Sequence, residues 1–563
     1  MDNSKDKKMH KKSFYKWKSK PGELPSSIIP IVILQGNDYE MGYQYGQQAG
    51  QYIIVVKEDK WASTLEKFRR EEVLRELKGY HYYIRKYAPE IIEMMRGMAD
   101  GATAAGYPLS YSDVLLMNND ARIPTPTSIY PLCAEDEELP GELCSSWSAW
   151  GNSTNGSLIC GNCCDVRFLP MVAIVAFPDV GNRFISVTNH AGQLAGTFSM
   201  NSKGVFIGRS SGYGHSSGQP KRAIDTDYGI TYQCGTQNLI RFANNADEVK
   251  KILFSWHLAD SLNWLVSDIK GNSFVAEVTA AIKGIRKPGD FGENDFIYAT
   301  NNYFNTEMRD AILGEKFIPH AGWLSSKTPA TISSVARNKE MWNMFHKYHG
   351  KVDLDFAKMI WRFSGNPLPY SIFFGNKNQG TCDDEWKDSY CKTQDKTWDQ
   401  KICNLDNEHV AIALPDDGDN GVSYVCTGPA SRVAYPLYLR GGHWYQIKGT
   451  HSFYQLALAS SPSKVVKAAH RVAHECIAKA YNKLMWLNYT VNGYVALNNL
   501  YVKANTEYYE GVNWANKANL ASDDEALFYY AKAATAFTCS QAHANQLKNI
   551  LDPPPTSPED LGL

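Results

Sequence analysis

The sequence predicts an α+β protein, helical at both ends and β-rich between. Three observations predict it. Ile91, Met94, Met95 and Met98 fall at i, i+3, i+4 and i+7, the apolar face of a helix. Between residues 144 and 300, short apolar and aromatic runs alternate with turn pairs such as Asn155-Gly156 and Gly271-Asn272. Ala468, Val472, Cys476 and Ala480 then return at four-residue steps inside a helical pattern over 461–550.

In chain order, residues 1–27 are polar and basic and read as a disordered tail. No apolar signal core follows Met1, so a cytoplasmic protein with reduced thiols is expected. Residues 28–34 form a short β-like run. The stretch 36–50 opens a helix with Asp38 as its N-cap, and Gly42, Gly46 and Gly50 recur on one face. Glycines cost helix propensity, so such a stripe predicts close approach of another backbone. Residues 56–123 continue as helix, broken at Gly106-Tyr107-Pro108 and restarting at Ser112. Together 28–143 make a helical leader. Its end, 124–143, carries prolines and four consecutive acids, Glu135 to Glu138, and reads as a loop directly before Cys144.

A hairpin is expected next, with strands near 145–150 and 157–165 around Asn155-Gly156. Further strands are read at 172–177, 184–188, 204–208, 263–269, 273–279, 296–300, 410–414 and 422–426, with a helix at 247–254 and helices in 326–364. Residues 376–404, with Cys382, Cys391 and Cys403, form a polar insertion. The core thus spans 144–445, a helical extension 446–550, and a proline-rich disordered tail 551–563.

Composition excludes several classes. Net charge is −1 from 58 basic and 59 acidic side chains, so neither nucleic acid nor an anionic membrane is expected as a partner. No apolar run is long enough for a transmembrane helix. Twelve cysteines in 563 residues are too sparse for a disulfide scaffold. No metal site or cofactor is expected. The run Cys160, Cys163, Cys164 has no matching second half, and residues on alternate sides of a strand do not converge.

The chemistry centres on the hairpin. Its two ends bring Cys144 towards Asp165, either as a nucleophile with an orienting carboxylate or as a buried cysteine beside a capping aspartate. A thiol needs a base, and no histidine lies within twenty residues of Cys144 on either side. If Cys144 became the first residue of a new chain, its α-amine, with a pKa of roughly 8, would serve.

Several segments in order resemble the cysteine N-terminal-nucleophile (Ntn) hydrolases, in particular the isopenicillin-N (penicillin) acyltransferase family and the related choloylglycine hydrolases. Residues 36–50 and 89–118 resemble the acyltransferase leader, and Cys144 stands where that family has its nucleophile. Gly161 to Asp165 is similar to a G-R-N-x-D strand end, with Asn162 for the arginine and Cys163 for the asparagine. Residues 199–204 resemble the G-M-N-E-x-G turn, 264–268 with 274–277 the W-x-x-x-D hairpin, 299–301 an L-T-N segment and 429–432 a P-x-S-R segment. The resemblance covers roughly residues 30–440 and implies a four-layer αββα sandwich. It implies Cys144 as nucleophile, Asp165 as the carboxylate orienting its amine, Asn301 as an oxyanion donor and Arg432 as a positioning cation. Asn201 and Ser211 take places that would touch substrate.

The expected function is an autoprocessed amidohydrolase or acyltransferase, a zymogen cut between Leu143 and Cys144, that cleaves a linear amide through a thioester. The leader would stay bound as a heterodimer, with higher oligomers compatible, and the partner would be a small N-acyl or amide substrate. The rival readings are a phospholipase-B-like lipid amidase or esterase and a catalytically inactive Ntn-fold interaction protein.

Overall fold

The structure is a computed structural model. It describes residues 29–66, 68–119, 144–165, 169–212, 228–301, 303–305, 307–308, 332–363, 407–428, 430, 437–439, 443–445, 452–486 and 494–563. The expected basic tail, the end of the leader with Leu143, the polar insertion and Arg432 lie outside these residues.

The leader gives strand β1 (Ile31–Gly36) and helices α1 (Asp38–Leu65), α2 (Arg70–Tyr87), α3 (Glu90–Ala104) and α4 (Tyr111–Met117). The middle gives β2 (Ser145–Ala149), β3 (Ile159–Asp165), β4 (Ala173–Pro178), β5 (Phe184–Val187), β6 (Phe198–Asn201), β7 (Val205–Ser211), α5 (Tyr232–Phe242), α6 (Ala246–Ser255), β8 (Leu262–Asp268), β9 (Ser273–Val278), β10 (Lys283–Arg286) and β11 (Phe296–Ala299). Then follow α7 (Ile332–Lys347), α8 (Leu354–Ile360), β12 (Asn407–Leu414), β13 (Gly421–Thr427), β14 (Leu437–Leu439), β15 (His443–Tyr445), β16 (Tyr454–Leu458), α9 (Pro462–Trp486), α10 (Tyr494–Ala518) and α11 (Asp523–Leu551).

An eight-stranded sheet runs β1-β4-β5-β6-β7-β8-β9-β10, and a six-stranded sheet runs β11-β2-β3-β12-β13-β16. All their pairings are antiparallel except β1 with β4. Because side chains alternate across a strand, each sheet feeds two cores. Val32, Leu34, Ile174, Val205, Ile207 and Val266 pack under α1, α3, α5 and α6. Their neighbours on the other face, among them Ile31, Ile33, Val175, Phe206 and Leu265, share a cluster with Cys160, Ala299, Ala411, Ala413 and Leu456 of the second sheet. The far side of that sheet, with Trp147, Cys163, Tyr298, Val410 and Ile412, packs on Phe345 of α7 and Phe356 of α8.

The leader is built into this arrangement. β1 pairs in parallel with β4 from Ile31↔Ala173 to Gly36↔Pro178. Its outer edge is closed by side chains. Ile33 N–H donates to Gln48 Oε1 (2.9 Å) and Gln48 Nε2 returns a bond to the Ile33 carbonyl (2.8 Å). Gln44 holds Gln35 the same way (2.7 and 2.8 Å). Thr535 Oγ1 of α11 accepts from Ile31 N–H (2.9 Å).

The glycine stripe meets a backbone, but inside the leader. A Cβ on Gly42 would stand 2.0 Å from the Met94 carbonyl oxygen, and one on Gly46 2.2 Å from that of Met98. Gly97 and Gly101 of α3 return the approach at the Tyr39 and Tyr43 carbonyls, each at 2.0 Å. Gly50 faces the Tyr107 ring instead.

Several boundaries differ from the sequence reading. The cap of α1 is Asn37, whose side chain accepts from Glu40 N–H while Glu40 returns to Asn37 N–H; Asp38 is already helical. Ser110, not Ser112, caps α4 in the same reciprocal way through Asp113. β16 belongs to the six-stranded sheet although it falls in the expected helical extension. Residues 551–563 carry a short 3-10 turn at Glu559–Leu561, with Leu561 and Leu563 against the α7–α8 core; these two leucines give the proline-rich end an apolar anchor.

Candidate active site

β2 and β3 form the expected hairpin, with Ser145 opposite Cys163 and Ser146 opposite Asn162. One step further along this register, Cys144 stands opposite Cys164, and Asp165 lies one residue beyond. On the next strand His409 is paired with Cys164. On the other side, Ala299 of β11 faces Ser146, so Asn301 continues to the level of Cys144. Asn301, Cys144, Cys164 and His409 therefore form one row across four neighbouring strands. By alternation from Cys160, Ala411 and Ala413, the row is on the face turned to the eight-stranded sheet. All four residues are fully buried.

Arg337 of α7 ties the row's first half together. Its Nη1 donates to the Cys144 carbonyl (2.8 Å) and to Ser145 Oγ, and its Nη2 donates to Asn301 Oδ1 (2.8 Å). Asn301 Nδ2 in turn donates to the Ser211 carbonyl (2.9 Å) at the end of β7. Asn162, where the resembled motif has arginine, uses its Nδ2 on the Ser145 carbonyl (3.2 Å), Ser146 Oγ (3.0 Å) and the Arg209 carbonyl (3.1 Å). It locks the start of β2 to both β3 and β7. A planar guanidinium and a side-chain amide thus fix the backbone at Cys144 from two sides.

The second half of the row has a different character. Between Asn407 and His409 the β12–β3 register shifts, so Glu408 is an extra residue in the ladder. A bulge turns consecutive side chains towards the same side, which regular alternation forbids. Cys164 Sγ, a Glu408 carboxylate oxygen and a His409 ring nitrogen lie within 4.8 Å of one another. Burial first, then the neighbouring Cys144 and Glu408 side chains, hold the Cys164 thiol well above the usual thiol range. Burial also pushes the Glu408 carboxyl up, and pushes His409 down to about 3. In both cases burial disfavours the charged form.

Of the residues the sequence singled out, Cys144, Asn301 and Ser211 come together through Arg337 and the Asn301 amide. Asp165 ends β3 opposite Asn407, at the end of the row. Asn201 is elsewhere: its Nδ2 donates to the carbonyls of Ile240 and Ala243, and its Oδ1 accepts from Lys203 and Val205 N–H. It closes the β6–β7 turn onto the end of α5. Arg432 lies outside the described residues. Sequence reasoning missed Arg337, Glu408 and His409. They reach the site from segments read only as a helix and a strand; the one available signal was a histidine-acid pair heading a strand next to the insertion.

No family model matches the chain. An uncharacterised protein of Archaeoglobus fulgidus is 32% identical over 194 residues, 32% of this chain and 32% of that protein. The chain thus spans about a third of the length of the curated relative it matches. Among solved structures, penicillin V acylase from Agrobacterium tumefaciens aligns at a TM-score of 0.29 and 11% identity, covering 50% of this chain and 83% of that one. A mutant conjugated bile acid hydrolase from Clostridium perfringens aligns at 0.26 and 12% identity, covering 50% and 89%. Likenesses this distant carry no weight for the chemistry, which stands on the site's own residues.

Proposed function

We propose that the chain is an Ntn-type amidohydrolase or acyltransferase on a helix–sheet–sheet–helix sandwich, activated by cleavage between Leu143 and Cys144. The observation that carries this reading is the position of Cys144. It heads β2, next to the edge strand of the six-stranded sheet, on the face between the two sheets, and the Arg337 fork fixes its carbonyl beside Asn301.

In the uncut chain the Cys144 thiol adds to the Leu143 carbonyl, and the peptide bond shifts from nitrogen to sulfur. The product is a thioester with a free Cys144 α-amine. Water then cleaves the thioester, leaving a Leu143 carboxylate and the thiol. In turnover the α-amine takes the thiol proton as sulfur attacks the substrate amide, and delivers it to the leaving amine. Water or a second amine releases the acyl group. Asn301 serves the tetrahedral oxyanion, a contact worth about 3–4 kcal/mol in comparable sites. Asp165 orients the new ammonium, and Arg432 positions it or a substrate carboxylate.

The test is the chain itself. Purified protein should run on a denaturing gel as two bands of about 16 and 47 kDa, dividing the 63.1 kDa mass by chain length. The larger band should begin Cys-Ser-Ser-Trp-Ser. Cys144→Ala should remain one band and turn over no N-acyl amide. Active wild-type protein that stays uncut, or full turnover by Cys144→Ala, sinks the reading.

A further inference from the structure

The residue cluster at the β12 bulge has chemistry that the acyl-transfer reading does not use. Both ring nitrogens of His409 and Oε2 of Glu408 are buried and make no hydrogen bond among the described residues. Each side chain is fully enclosed, at 0% exposure. Buried polar atoms are almost always satisfied, so three orphans in adjacent residues mark a missing partner. The third neighbour, Cys164, is a free buried thiol.

We propose that Cys164, Glu408 and His409 form a binding site for a divalent transition metal ion of the zinc class. The donor set is one sulfur, one nitrogen and one carboxylate oxygen. Thiolate and imidazole select zinc-like ions over magnesium or calcium, which take oxygen alone. Bond lengths of about 2.0–2.3 Å in a tetrahedral shell put neighbouring donors about 3.3–3.8 Å apart. The donors here lie within 4.8 Å, so side-chain rotations of about an ångström close the shell.

Binding displaces the proton of the Cys164 thiol, which leaves to solvent. Thiolate and carboxylate then balance the ion's two charges, leaving a neutral centre suited to a buried place. Imidazole fills the third position. The bulge has a function on this reading: it turns two consecutive residues to one side of β12, as a chelate requires. Cys164, Glu408 and His409 all follow Cys144 in the sequence, so the site is present whether or not the chain is cut before Cys144.

The experiment uses the full-length protein, stripped with a chelator and dialysed against metal-free buffer. Zinc is titrated in competition with a chromophoric chelator, and cobalt(II) is added separately as a spectroscopic probe. We expect about one ion per chain, and a thiolate-to-cobalt charge-transfer band in the near ultraviolet. Cys164→Ser should abolish that band. Glu408→Gln and His409→Ala should each weaken zinc binding more than about tenfold. Circular dichroism checks that each variant folds. Glu408→Gln, nearly isosteric, keeps the test usable if the other two do not fold. Folded wild type that binds no zinc, or stoichiometric binding unchanged in Glu408→Gln, overturns the site. Processing at Cys144 is scored on the same samples, so failure of metal binding and failure of the acyl-transfer reading are told apart.

Discussion

Arg337 shows what a single side chain contributes at this site. It is fully buried, and its two terminal nitrogens hold the Cys144 carbonyl and Asn301 Oδ1 at once. Lysine has one nitrogen on a flexible stem and cannot bridge both. Arg337→Lys should slow self-cleavage by at least about tenfold, the loss of one charge-assisted hydrogen bond of about 1.5–3 kcal/mol. The check is a time course of band conversion in freshly synthesised chain; an unchanged rate would make Arg337 merely structural. Nothing in the sequence pointed to it. An arginine within I-S-S-V-A-R-N-K reads as a solvated helix charge, and its partner Cys144 is 193 residues away. Glu408 and His409 were hidden for another reason. Period-two alternation assigns them opposite faces, and a bulge is a property of pairing that one strand does not display. Cys144 and Asn301 could be singled out because the resemblance rests on ordered local segments, although one of them, Gly161 to Asp165, departs from the motif at Asn162 and Cys163.

The pairing of α1 with α3 shows how much an element reveals alone. The spacing of Gly42 and Gly46 announced a close contact, and the contact is there; its partner, Gly97 and Gly101, was not predicted. Gly46→Ala would put a Cβ 2.2 Å from the Met98 carbonyl oxygen and 2.4 Å from Ala102 N, backbone atoms that cannot turn aside. The helices must separate, at a cost of about 1–3 kcal/mol or more. Gly106→Ala has open space, and its φ of +89° carries only the left-handed penalty of about 1–2 kcal/mol. In urea unfolding Gly46→Ala should lose at least as much stability as Gly106→Ala and also lower the yield of bound leader. Equal leader retention would mean the helix pair does not hold the leader's shape. Elements were missed where local pattern is absent. α5 buries Gln233, Thr236, Gln237 and Asn238 along with its apolar residues, so it shows no polar face to read. β6 is four residues long.

At the scale of the whole molecule, the alternation of helical and β segments was readable and the assembly of the sheets was not. The six-stranded sheet draws strands from residues 145 to 458, and the last lies in a segment read as a helical extension. Sheet order is set by contacts between distant segments, which no local period encodes. The same assembly explains why a cut before Cys144 would leave the leader in place: β1 is a rung of the eight-stranded sheet, and α1 and α3 lie in its core. β1 is also the outermost strand, and the amides of Gln44 and Gln48 imitate the strand that would come next. A stray polypeptide, or a second copy of this chain, finds no free ladder there. Gln44→Leu with Gln48→Leu would strip two rungs of their partners and turn a closed border into a template for edge-to-edge growth. Light scattering should then rise steeply with concentration, and a double variant as monodisperse as wild type would show that another part of the fold guards that border.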